Sequence, residues 1–308
     1  MLPRAGISHD RSRHRIYQYL PGLAAEGFQF HILPPGLTRA LRFWKKDDYD
    51  LALIEEAAFP ELPAAARRLA ARRLPPVRVV IGGAPDGPEK EPGGAVYADI
   101  LETPGDAGED RLVLHPAPDW LRLSPIERKR LRRRIGWIGG AENLAALYAI
   151  LPHLTALQQT HQFTLVTIGA RPTGLSIPNE HHETLPLDPS ELLRGLDFAL
   201  IPWHEGALTW LDRLNMARYA SAALPVVCGD HPELVATLAQ SHAGYVAEDE
   251  TTWLLALRKL LDQPRLRQSL GERGRLWAKH ERGLRAQMPR LASFLRQMAA
   301  RGASGQVL

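Results

Sequence analysis

The sequence predicts an α/β protein of two Rossmann-like, doubly wound domains. Three observations carry that prediction. Short apolar runs alternate with amphipathic stretches along most of the chain, the order expected of parallel strands joined by helices. A length of 308 residues suits two domains, on the usual scale of roughly 100–200 residues each. The stretch from Leu196 to Asp230 runs strand, polar loop, helix, buried strand, which is how a parallel sheet presents a ligand at the carboxyl ends of its strands.

Taken in order, RHRIYQYLPGLAAEGFQFHILPP predicts an amphipathic helix stopped at Gly27, then a strand with Phe28, Phe30 and Ile32 on one face. A short basic helix is expected around Leu37 to Trp44, a strand in YDLALIEEA, a helix around Pro63 to Arg73 and a strand in VRVVIGG. The Gly/Pro-rich stretch from Gly82 to Gly94 favours turns and reads as an exposed loop. Two short strands follow, around Ala95 to Leu101 and Arg111 to His115, and the hinge is expected between Pro116 and the basic helix that begins at Ser124. In the second half RIGWIGG, FTLVTIGA, DFALIPW, LPVVCGD and AGYVAED predict strands, each followed by helical sequence. DPSELLRGL predicts a short helix capped by Asp188 or Ser190. Helices run on to about Ala300, before a frayed tail. The domain expectation is therefore 1–122, 123–282 and a C-terminal helix with its tail over 283–308, with a cleft between two sheet-based lobes.

Composition narrows the function classes. Hydrophobic residues at 45% and charged residues at 23% describe a chain that buries an ordinary core. The net charge is only +4, so the arginine clusters in LSPIERKRLRRR and along the C-terminal helices read as solvated helix faces, with an anionic lipid surface as the other reading; no nucleic-acid partner is expected. Cys228 is the only cysteine, which excludes an intrachain disulfide and a cysteine-rich metal site, and its place in a buried strand makes it a packing residue. Neither a signal peptide nor a run near ~18 apolar residues occurs, so a cytoplasmic protein is expected, with peripheral contact at the inner face of the membrane left open.

With these motifs laid out, the chain resembles the GT-B glycosyltransferases, specifically the large retaining, metal-independent, nucleotide-sugar-dependent group (glycosyl transferases group 1). The resemblance is strongest from Arg134 to about Arg282: RIGWIGG enters a glycine turn, DFALIPW ends in proline, SAALPVV stands for A-A-G-x-P-V-V, and AGYVAEDETTWLLALRKLLDQPRLRQSLGERGR follows. The N-terminal half matches through SRHRIYQYLPGLAAEGFQF and YDLALIEEAAFP, and its first strand is missing or very short, so the resemblance implies a reduced N-terminal domain. The resemblance implies a nucleoside-diphosphate sugar as donor, a glycan, lipid-linked or protein acceptor, and neither metal nor cofactor.

The implied donor residues are the Gly139–Gly140 turn, where backbone N–H groups at a helix start can hold a diphosphate, and the helix that follows DFALIPW. Family members carry a lysine there for the leaving diphosphate and a glutamate for the ribose, in a pattern like N-x-x-K-x-x-E-Y. Aligned on LPVV, this chain has Asp212, Asn215, Arg218 and Tyr219 in those places, with Ala223 for the glycine. An amide cannot offset phosphate charge, and a guanidinium donates where a carboxylate accepted. Arg213 and Arg218 flank Asn215 and are the candidate replacements; the other reading pairs them with Asp212 or Glu205. His204, Glu205 and Thr209 precede the helix, where relatives contact sugar or phosphates, with Asp212 and Tyr219 as further sugar or nucleotide contacts. No residue is nominated as the catalytic base. Two functions follow: sugar transfer through electrostatic stabilisation of the leaving diphosphate, or a degenerate scaffold serving as a binding or partner subunit in glycan assembly.

Overall fold

The structure is a computed structural model, and it describes residues 17–32, 50–55, 76–80, 98–101, 111–114, 133–185, 189–203, 205–206 and 208–303. The chain divides into two compact units, Met1–Pro116 with Leu284–Leu308, and Ala117–Gly283.

In the first unit, a turn of 3₁₀ helix at Tyr17–Tyr19 leads into α1 (Leu20–Ala25). Pro21 at the start suits a helix entry, because its missing N–H would have no partner there. Gly27, at φ +88°, closes the helix: its N–H bonds to the Ala24 carbonyl, and the Phe28 N–H reaches back to Leu23. Phe28 and Phe30 then pack on a core of Tyr19, Leu23, Leu112 and Leu114, with Met288, Leu291, Leu295 and Met298 from the C-terminal helix α8 (Leu284–Ala303). The strand expected at Phe28 to Ile32 is absent; these residues are irregular, anchored by their aromatic side chains rather than by a ladder. Four strands, β1 (Ala52–Glu55), β2 (Pro76–Val80), β3 (Ala98–Leu101) and β4 (Arg111–Val113), form a parallel sheet in the order β1-β2-β3-β4. The helices expected around 37–44, 63–73 and 124, and the loop over 82–94, lie outside the described residues.

The second unit is a six-stranded parallel sheet in the order β10-β9-β8-β5-β6-β7. Its elements are β5 (Arg133–Gly139), α2 (Leu144–Gln158), β6 (Phe163–Gly169), β7 (Asn179–His182), α3 (Ser190–Arg194), β8 (Phe198–Ile201), α4 (Trp210–Ser221), β9 (Val226–Gly229), α5 (Pro232–Ser241), β10 (Gly244–Ala247), α6 (Glu250–Asp262) and α7 (Pro264–Trp277). The alternation within each strand decides which face a residue serves. Ile135, Trp137, Phe163, Leu165, Phe198, Leu200 and Val227 pack with α2 and α6 on one face. Ile138, Val166, Ile168, Ala199, Ile201, Val226 and Cys228 pack with α3, α4 and α5 on the other. Both faces are covered, which is why these strands read as continuous apolar runs.

Strand β7, NEHH, was not expected. It is a polar edge strand that pairs only with β6, so neither apolar content nor β-propensity announces it. The α3 cap also differs: Pro189 holds the cap position without a side-chain bond, Ser190 is the first helical residue, and Asp188 lies outside the described residues.

Several C-terminal arginines bond to helix ends rather than stand free in solvent. Arg267, 7% exposed, donates to the last carbonyls of α6, Leu260 and Leu261. Arg275 donates to the Ser221 carbonyl at the end of α4, and Arg296 to the Glu26 carbonyl after α1. Each cation thus sits where a helix leaves its carbonyls unpaired and its dipole negative.

Candidate functional site

Strand order reverses at β5. The chain passes from β5 outward to β6 and β7, then returns to the opposite side of β5 to lay down β8, β9 and β10. In open α/β sheets a crevice forms at such a reversal, outside the carboxyl ends of the two central strands. Here those ends lead into the Gly139–Gly140 turn and the loop of residues 202–209.

The β5–β8 ladder stops at Trp137, paired with Leu200. One residue further, α4 side chains bond to β5 at Ile138. The Ile138 N–H donates to the Tyr219 hydroxyl at 2.9 Å, and the Asn215 amide donates to the Ile138 carbonyl at 2.9 Å. Asn215 is 1% exposed and Tyr219 fully buried. Burial raises the Tyr219 hydroxyl above its ordinary pKa, against the bond from Ile138 and the charge of Arg218, so it remains a neutral partner.

A second chain of bonds ties the two loops to each other. The Gly140 N–H donates to Asn143 Oδ1 at 3.0 Å, and Asn143 Nδ2 donates to the two Asp212 oxygens at 3.1 and 3.2 Å. Thr209, the N-cap of α4, gives Asp212 its backbone N–H at 3.0 Å and its hydroxyl at 2.7 Å, and accepts the Asp212 N–H in return. Burial pushes the Asp212 carboxyl above its usual range, opposed by the Thr209 and Asn143 bonds and by the Arg213 charge.

The cations of α4 have partners within the protein. Arg213 Nε donates to both Glu233 oxygens, at 2.9 and 3.1 Å, and its other nitrogens reach Glu233 and the Leu208 carbonyl. Arg218 is 2% exposed, with one nitrogen 3.4 Å from Asn215 Oδ1. The structure thus brings Asp212, Asn215, Arg218 and Tyr219 together and buries all four; Arg213 pairs with Glu233, not with Asp212 or Glu205. Glu205 is exposed, and His204 lies outside the described residues. Trp203 stacks edge-on with His231, the N-cap of α5, at 5.2 Å.

The two glycines of the turn matter for close packing. A Cβ at Gly139 would meet the Trp137 ring; one at Gly140 would meet the carboxylate of Glu142. Both have ordinary backbone angles; contact with the buried ring selects glycine at Gly139, whereas the Glu142 side chain could move aside at Gly140. The Trp137 ring is buried, whereas Glu142 is exposed. Cys228 is fully buried, and burial together with Asp230 lifts its thiol to about 12, which keeps it an inert packing residue. Sequence reasoning missed Asn143 and Glu233, which the fold brings onto Asp212 and Arg213 and which carry no readable signal in the sequence.

No protein-family model matches the sequence, and no curated protein does. Solved structures share the fold at low identity. HepE of Anabaena, in complex with UDP and glucose, superposes with a TM-score of 0.63 at 9% identity over 90% of this chain and 88% of that one. A glycosyltransferase from Rickettsia africae ESF-5 gives 0.63 at 8% identity, over 91% and 87%. TarM gives 0.59 at 11% identity, covering 84% of this chain, which spans 57% of TarM's length. Among the described residues no helix is long and apolar enough to cross a membrane. The two parallel sheets and the strand reversal at β5 therefore belong to the GT-B glycosyltransferase fold.

Proposed function

We propose that this protein transfers a sugar from a nucleoside-diphosphate sugar to a glycan, lipid-linked or protein acceptor. The observation that carries the reading is the strand reversal at β5: a glycine turn and a helix start stand at the carboxyl edge of the sheet, in a fold shared with a protein solved with UDP and glucose. The diphosphate lies over the Gly139–Gly140 turn, and the sugar or nucleotide contacts come from the loop of His204, Glu205 and Thr209. Asp212, Asn215, Arg218 and Tyr219 serve as framework that holds this edge in shape, and Arg213 braces α4 against α5. A uridine diphosphate sugar is the first donor to try, since HepE was also solved with UDP-glucose.

Calorimetry with UDP and a turnover assay across UDP-, GDP- and ADP-sugars test the reading. UDP or another diphosphate binds, and its sugar ester is hydrolysed or transferred. A protein that binds no nucleoside diphosphate would sink the proposal; one that binds without turnover fits the partner-subunit alternative.

Peripheral contact with an anionic membrane surface belongs to the same reading, because a lipid-linked acceptor resides there. Helix α8 supports it, with Arg285, Arg290 and Arg301 and no acidic residue. Co-sedimentation with anionic but not neutral vesicles is the expected result.

A further inference from the structure

We infer that Arg171 supplies the positive charge that meets the donor diphosphate, from the β6 side of the strand reversal and not from α4. The inference rests on the proposed donor reading and names the residue that binds. Arg171 follows β6, the strand that flanks β5 opposite β8. Gly169 ends β6 at φ +99°, with its Cα packed on the Gly139 carbonyl where a Cβ would collide. The Ala170 N–H then donates to that same carbonyl at 2.9 Å. Three residues on, the Thr173 N–H donates to the hydroxyl of Tyr148 on α2, again at 2.9 Å, and Pro172 is buried. The backbone of Arg171 is thus held from both sides, against the β5 turn and against the helix that the turn begins.

Arg171 is exposed and makes no hydrogen bond or ion pair with another described residue. His181 on β7, beyond β6 from the turn, lies below its ordinary pKa first because of burial and then because of the charges of Arg171 and His182, against Glu183. Arg213 and Arg218, by contrast, are paired or buried. A guanidinium on a pinned backbone suits a diphosphate, whose oxygens accept its parallel N–H groups. Glu142 opposes it: its carboxylate lies on Gly140, where an incoming phosphate meets like charge.

The test is calorimetry of the full chain with UDP and, separately, inorganic pyrophosphate, on wild type, Arg171→Ala and Glu142→Gln. Arg171→Ala weakens both ligands about tenfold or more, and Glu142→Gln tightens both severalfold. Raising the salt concentration erodes the difference between wild type and Arg171→Ala. Thermal melts of the two variants match wild type, because neither side chain is buried. If wild type binds UDP and Arg171→Ala binds it equally well, this inference is overturned and the donor reading stands. If wild type binds neither ligand, both fall.

Discussion

The two flanks of the strand reversal differ in what they do with polar side chains. On the α4 side Asp212, Asn215, Arg218 and Tyr219 are all buried, and Asn215 and Tyr219 bond to the end of β5 where the ladder to β8 has run out. On the β6 side Arg171 stands exposed on a short loop tied down at both ends. The comparison teaches that charge counted along a helix is not charge offered to a ligand. A guanidinium that is 2% exposed or forked onto a glutamate is engaged within the protein, whereas Arg171 is exposed and bonds to no other described residue.

If the α4 flank is framework, its substitutions register as lost stability. Asn215→Leu removes the Ile138 carbonyl's side-chain donor and a partner of Arg218 in a buried site; a loss of about 2–3 kcal/mol is expected in urea unfolding. A value near zero would mean that Asn215 holds nothing and would break the contrast between the flanks. Tyr219→Phe keeps the ring and leaves the Ile138 N–H alone, at a cost of about 1–2 kcal/mol by the same measurement.

A gain is expected where α4 ends. Ala223 sits at φ +56°, in the left-handed region, with the Ala223 and Leu224 N–H groups bonded back to Ala220 and Tyr219. The resemblance to A-A-G-x-P-V-V puts glycine at this position, and the geometry shows why. Ala223→Gly relieves the Cβ contact and raises stability by about 0.5–1 kcal/mol, read as a higher urea midpoint at unchanged slope. No gain would place the strain elsewhere.

The smallest effect concerns the edge strand beyond β6. The Arg134 bond to Glu180 lowers that carboxyl from its ordinary value to about 2, with His182 assisting. A depressed folded pKa contributes stability that is complete above the unfolded value near 4.5 and is lost as pH falls through about 2. The pair is partly exposed, so Glu180→Gln costs no more than about 1 kcal/mol at neutral pH. Its acid-unfolding curve flattens between pH 4.5 and 2 relative to wild type, and an unchanged curve would show the pair to be idle.

Much of the second unit was legible in the chain. Ile135, Trp137, Phe198 and Val227 fall on alternating positions of short apolar runs, and the strands they predict are present and parallel. The turn after RIGWIGG and the helix after DFALIPW are also present as read, and the structure adds that Thr209 with Asp212 caps the second of them. Strand β7 was invisible, since NEHH is strand only by virtue of its neighbour.

By itself, then, the sequence determined the alternation of apolar strands and helices in the second unit and the burial of Cys228. Tertiary structure alone decided which cations remain open. The same residue type became a helix cap at Arg267, half of an ion pair at Arg213 and an exposed group at Arg171. The reason is physical: period and turn chemistry act over a few neighbouring residues, whereas burial and the choice of partner are set by segments that meet only after folding, as Asn143 meets Asp212 and Ile138 meets Tyr219.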